Sequence, residues 1–163
     1  MKTQLVRNWM APKPITITPQ TTLPEAHRLM DVHNIRRLPV ANKGHLVGIV
    51  TLGDIREAQA SNATTLNVYE LNFMLDQLTA QKFMTYEPIT VSPDATIGEA
   101  ARLIVEYKIG ALPVIEDGEL VGIITETDFC RLLMLQPEYL PKDKRIHEPP
   151  DIFNSTPMPG SGH

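Results

Sequence analysis

The sequence predicts a mixed α/β (α+β) chain built from two copies of one β-α-β-β-α module, and three observations carry that expectation. Shifting the chain by 74 positions lays residues 10–55 on residues 84–129 without a gap, and 21 of the 46 aligned positions are identical, where ordinary composition gives roughly three. Each copy holds apolar residues at helical spacing behind a Thr-x-x-Glu start. Each also holds two apolar runs separated by a glycine-containing turn, the pattern of a hairpin. With 163 residues there is room for two small modules that share a core.

Taken in order, "PITI" at residues 14–17 and "PITV" at 88–91 are short β-prone runs after proline, read as the first strand of each copy. The helices that follow open at Thr22/Glu25 and Thr96/Glu99, both read as capping boxes. Leu23, Ala26, Leu29 and Met30 form one apolar stripe, and Ile97, Ala100, Leu103 and Ile104 form its counterpart. The runs "LPVANKGHLVGIVT" and "LPVIEDGELVGIIT" then predict hairpins, with Asp117-Gly118 the clearer turn. A last helix starts near Asp54 in one copy and Asp128 in the other. Between the copies, Leu71, Met74, Leu75 and Leu78 lie on one helical face and predict a packed connector helix. Six of the fourteen prolines fall between Pro137 and Pro159, which predicts an extended, irregular tail. The expected division is repeat 1 over 1–60, connector over 61–79, repeat 2 over 80–136 and tail over 137–163.

Composition narrows the function. A net charge of −4 with 21% charged residues gives a soluble surface without a basic field, which argues against nucleic-acid binding by bulk electrostatics. No apolar run approaches the roughly 20 residues needed to span a bilayer, so no membrane partner is expected and the expected location is the cytosol. The single cysteine, Cys130, reads as a small buried apolar residue of the last helix. His27 and His33 stand six apart in one helix, which does not make a metal pair, and no cysteine or carboxylate cluster completes a set. No activated nucleophile and no paired acid and base stand out, so neither catalytic nor metal-ligating residues are assigned and no enzyme activity is expected.

What remains is a repeated phrase, "GIVTLGD" at 48–54 and "GIITETD" at 122–128. Thr51/Asp54 and Thr125/Asp128 both match a helix N-cap, which alone would justify them. The same residues suit a sugar–phosphate: an acceptor-only Asp fits two adjacent hydroxyls, a Thr hydroxyl can donate to phosphate, and the helix N-terminus favours an anion.

With these residues in view, the chain resembles the CBS (cystathionine β-synthase) domain family, and in particular stand-alone proteins with two such repeats. The resemblance covers about residues 5–135, and its most specific part, the terminal G-h-h-T-x-x-D, is intact in both copies. It implies two repeats packed pseudo-symmetrically through their sheets, with two clefts that often bind adenine nucleotides. In such modules the Asp typically holds the ribose and the Thr lies near phosphate, while the base sits between the first strand and the x-x-h-P segment of the partner repeat.

Carried over residue by residue, these roles make the clefts unequal. Repeat 1 places Arg36 and Arg37 before Leu38-Pro39, whereas repeat 2 places Gly110 and Ala111 before Leu112-Pro113. The favoured cleft would combine Thr51, Asp54, Arg36 and Arg37 with Ile89, Thr90, Gly110, Ala111 and Pro113 around the base. The second, weaker cleft would use Thr125, Asp128, Ile15, Thr16 and Pro39, with the arginines crowding its base position. The implied function is a non-catalytic regulatory module that binds AMP, ADP or ATP, with Mg²⁺ accompanying ATP, and signals energy or metabolite state to an unidentified effector protein as a homodimer. An NAD-type dinucleotide or S-adenosylmethionine shares the adenosine end. The alternative is a constitutive dimerisation scaffold without ligand, in which Thr and Asp only cap helices.

Overall fold

The protein, seen here in a computed structural model, is described over residues 4–63 and 66–139. Two three-stranded antiparallel sheets, one ordered β2 (Arg37–Asn42), β3 (His45–Thr51), β4 (Thr85–Tyr86) and the other β1 (Ala11–Pro12), β6 (Glu119–Thr125), β5 (Ala111–Glu116), meet through β3 and β6. In repeat 1 the strands β2 (Arg37–Asn42) and β3 (His45–Thr51) form a hairpin between α1 (Leu23–His33) and α2 (Leu52–Asn62). In repeat 2 the equivalent elements are α4 (Ile97–Tyr107), β5 (Ala111–Glu116), β6 (Glu119–Thr125) and α5 (Glu126–Met134). Both hairpins turn on two left-handed residues, Lys43-Gly44 (φ 51° and 82°) and Asp117-Gly118 (φ 51° and 81°), which suit the right-handed strand twist. Both also shift register at the same place, Val40/Ala41 and Val114/Ile115, so even the irregularity is duplicated.

The third strand of each sheet lies elsewhere than the sequence predicts. "PITI" and "PITV" contribute only single parallel bridges, Ile17 to Val40 and Val91 to Val114. The paired segments are the lead-ins before them, β1 (Ala11–Pro12) and β4 (Thr85–Tyr86), and each crosses to the other repeat: β1 pairs with β6, and β4 with β3. Lys13 and Glu87 take φ of 49° and 46°, which turns the chain out of the extended conformation between lead-in and proline. Each lead-in approaches closely. A Cβ added at Gly48 would stand 2.6 Å from Met84 Sδ and 2.8 Å from the Thr85 carbonyl oxygen, and Gly122 meets Met10 and Ala11 in the same way. The exchange extends into the cores, since Val6 is buried with the residues of repeat 2 while Ala80 and Met84 are buried with those of repeat 1.

The helix stripes are as expected in kind. Leu23, Ala26 and Met30 are buried on α1, and Ala100 and Ile104 on α4. Only one of the two expected capping boxes forms on these helices. Thr96 and Glu99 exchange bonds at 2.8 and 3.1 Å, whereas Thr22 makes no side-chain cap bond and Glu25 instead accepts two bonds from Arg28. At α1 Pro24 removes one of the N–H donors that a cap would serve, and Arg28 holds the Glu25 carboxylate that would close the box. The connector forms α3 (Val68–Gln77), capped by Asn67 and packed on repeat 1 through Leu75, with Leu71 and Leu78 half-buried. Met74 departs from expectation and is 43% exposed, beside the exposed Tyr69 and Phe73. Of the proline-rich tail, Pro137–Tyr139 is a single 3-10 turn, and the expectation for 140–163 lies outside the described residues.

Candidate functional site

The chain passes from β3 to α2 at Thr51, whose extended backbone (φ −107°, ψ 160°) makes it the N-cap. The Thr51 N–H donates to Asp54 Oδ2 (2.8 Å) and the Asp54 N–H donates to Thr51 Oγ1 (3.1 Å), closing a capping box with Asp in the usual place of Glu. Because Thr51 accepts in this exchange, its hydroxyl proton stays available. No hydrogen bond reaches Asp54 Oδ1 among the described residues. Capping and presentation of polar atoms are therefore compatible at this turn, since the box engages only one oxygen of the carboxylate.

A cavity of about 750 Å³ opens beside it. Repeat 1 contributes Arg36 and Arg37 at the start of β2, then Thr51, Gly53 and Arg56 from the turn and the first part of α2. The facing wall comes from repeat 2: Glu87, Pro88 and Ile89 after β4, and Lys108 to Ala111 between α4 and β5. Register explains part of this convergence, because Arg37 pairs directly with Thr51 across the hairpin. Arg37 is largely covered and crosses between repeats, reaching Glu126 Oε2 at 3.9 Å. Its guanidinium lies directly on Gly110, and a side chain at 110 would have to displace it.

Of the residues singled out from sequence, Arg36, Arg37, Thr51, Ile89, Gly110 and Ala111 line this cavity. Asp54 is half-buried and is not among the lining residues, although Gly53 before it and Arg56 two residues after it are. Thr90 is exposed but outside the lining, and Pro113 is buried two residues farther along β5, where its carbonyl accepts the Val91 N–H (3.0 Å). Sequence reasoning passed over Arg56, Glu87 and Lys108. Their signal was available in the repeat itself, which sets them against Cys130, Lys13 and Asn34.

The second Thr-x-x-Asp turn is built alike and bonded differently. The Thr125 N–H and hydroxyl both donate to Asp128 Oδ2 (2.8 and 3.1 Å), and Arg131 donates to Asp128 Oδ1 (3.1 Å). Asp128 is only 8% exposed. Of its expected companions, Ile15 is half-buried against the core of repeat 1, Thr16 is exposed, and Pro39 is fully buried in β2. Cys130, expected to be buried, is exposed, because α5 turns Asp128 inward instead. Among the described residues no three His, Cys, Asp or Glu side chains gather as a metal site, and no helix is long and apolar enough to cross a membrane.

The CBS domain family matches this chain twice, over residues 6–61 and 80–135. An inosine-5'-monophosphate dehydrogenase from Korarchaeum cryptofilum (strain OPF8) is 39% identical over 115 residues, 70% of this chain and 21% of that protein, so the chain spans about a fifth of its length. Among solved structures, the CBS domain pair of protein MJ0100 in complex with 5-methylthioadenosine and S-adenosyl-L-methionine superposes with a TM-score of 0.69 at 32% identity, covering 80% of this chain and 95% of that one. CBSX2 in complex with AMP superposes with a TM-score of 0.67 at 28% identity, covering 80% and 96%.

Proposed function

The chain belongs to the CBS domain family, and on that premise we propose a non-catalytic regulatory module that binds an adenine nucleotide in the cleft between its repeats. One observation carries the reading: a cavity shared by both repeats, where Thr51, whose cap partner Asp54 keeps one carboxylate oxygen open, lines the wall with Arg36 and Arg37 and faces the small residues Gly110 and Ala111. Asp54 Oδ1 takes the ribose hydroxyls, the Thr51 hydroxyl and the arginines take phosphate, and the base lies against Ile89, Ala111 and, once the Arg37 guanidinium swings from it to the phosphate, Gly110. The adenosine ligands of MJ0100 and CBSX2 support the same ligand class. A ligand held by both repeats favours whichever arrangement of the repeats, or of two subunits, it binds more tightly, and an effector protein reads that shift.

A thermal-shift panel of AMP, ADP, ATP, NAD and S-adenosylmethionine, with and without Mg²⁺, tests this on the wild type, Asp54→Ala and Asp128→Ala. A ligand at 100 times its dissociation constant adds about 2.7 kcal/mol of stability. The expected result is stabilisation kept in Asp128→Ala and lost in Asp54→Ala; equal stabilisation in Asp54→Ala overturns the assigned cleft. The second reading, a dimerisation scaffold without ligand, draws on exposed apolar side chains of α3, with Tyr69 87% and Phe73 68% exposed. It gains if no ligand shifts the melting curve while light scattering shows a dimer that persists on dilution.

A further inference from the structure

We infer that this cleft selects a nucleotide with two or more phosphates over a nucleoside monophosphate, through Arg56 and Lys108; the inference rests on the nucleotide reading above. Four cations line the cavity, Arg36, Arg37, Arg56 and Lys108, against one carboxylate, Glu87. They come from three separate places: the start of β2, the first half of α2, and the C-cap of α4 in the other repeat. Arg37 is already shared with Glu126, but Arg36, Arg56 and Lys108 make no ion pair among the described residues. A monophosphate beside Thr51 is met by the arginines at 36 and 37 alone. The two further cations, Arg56 and Lys108, add like charge to a shared cavity and repel the arginines unless more anion lies between them.

Placement gives the two added cations a role at the far end of such a ligand. Arg56 follows Gly53 by three residues and Leu52 by four, which puts it on the α2 face that borders the cavity, one turn beyond Thr51. Lys108 stands across the opening. It holds a left-handed backbone (φ 53°, ψ 44°) at the end of α4, a position that favours glycine or asparagine. The equivalent residue of repeat 1, with nearly the same backbone (φ 50°), is Asn34. A lysine at this position is the less stable choice for the backbone, and the cleft supplies a reason for it. Neither cation is repeated, since Cys130 replaces Arg56 and Asn34 replaces Lys108 in the other copy.

Calorimetric titration of AMP, ADP and ATP, with EDTA present to remove divalent ions, tests the inference on the wild type, Arg56→Ala and Lys108→Asn. Both substitutions suit their backbone positions, and melting without ligand checks that each variant folds. Wild type is expected to bind ATP and ADP at least ~10-fold more tightly than AMP, and each substitution to weaken ATP about 5-fold while changing AMP less than about 2-fold. Equal affinity for AMP and ATP overturns the inference but leaves the nucleotide reading standing, as does an equal loss of both ligands in the variants. Failure of all three nucleotides to bind the wild type overturns both.

Discussion

In repeat 1 the Asp54 carboxylate commits one oxygen to the Thr51 N–H and keeps the other open, while the Thr51 hydroxyl accepts from Asp54 and keeps its proton. In repeat 2 the Thr125 hydroxyl donates to Asp128, and Arg131 takes the remaining carboxylate oxygen. Residue 57, at the place of Arg131, is a glutamate that cannot do the same to Asp54. A cap needs one carboxylate oxygen, so duplication preserves the turn in both copies while the second oxygen is free to diverge. The identical phrase thus specifies the same local fold twice and leaves its neighbours to decide whether a ligand can use it.

The strongest way to break this comparison is at the carboxylates themselves. Asp54→Ala is expected to weaken adenine-nucleotide binding at least ~10-fold, as expected for losing hydrogen bonds to a charged group, whereas Asp128→Ala changes it less than about 2-fold. Calorimetric titration reads both, and equal losses would erase the distinction between the copies.

A smaller effect sharpens it. Glu57→Arg gives Asp54 the partner that Asp128 has, and is expected to weaken binding about 5-fold without changing the fold, since residue 57 is exposed on α2. Arg131→Gln releases Asp128 Oδ1 but leaves the Thr125 bonds and the burial of Asp128 in place. It is therefore expected to leave the stoichiometry of binding unchanged. A second binding event in that variant would show that Arg131 alone closes the second turn.

How much of this was legible follows from whether a feature is local. The helices were, because Ala26 and Met30 on α1 and Ala100 and Ile104 on α4 follow a period that burial of one face imposes. The strand exchange was not. Ala11–Pro12 is too short to carry a period, and it is a strand only because β6 of the other repeat lies beside it. The failed box at Thr22 turns on neighbours that motif spacing does not weigh, a proline at 24 and an arginine at 28 that takes the Glu25 carboxylate. At the cleft, Arg36 and Arg37 stood out as an unequal pair within the most repetitive stretch. Arg56 and Lys108 were equally unequal, but a helix face and a helix end meet across a cavity only once the topology is known.

The two Thr-x-x-Glu starts extend the comparison from binding to stability. Thr96→Ala removes a formed cap and is expected to cost about 1 kcal/mol, while Thr22→Ala, which removes no side-chain cap bond, costs at most a few tenths. Urea denaturation of both variants checks this, and equal losses would mean that Thr22 caps α1 in solution.

The smallest effect separates the two glutamates by the cause of their lowered pKa. Bonds from the Thr96 N–H and hydroxyl hold the Glu99 carboxyl below its ordinary value of 4.5, whereas Glu25 is held low chiefly by its hydrogen bonds to Arg28. In both cases folding depresses the pKa, so the stabilisation is fully present above about 4.5 and fades as pH falls through the folded value. The melting-temperature gap between wild type and Glu99→Gln should therefore narrow on acidification below that point, and so should the gap for Glu25→Gln. Salt tells them apart. At 1 M salt the screening length is about 3 Å, so the exposed Glu25–Arg28 pair should lose most of its contribution at neutral pH, while the Glu99 cap, bonded to a backbone N–H, should keep its own. Equal salt sensitivity of the two gaps would show that Glu99 acts through Arg102, the nearest cation on its own helix, rather than through the cap.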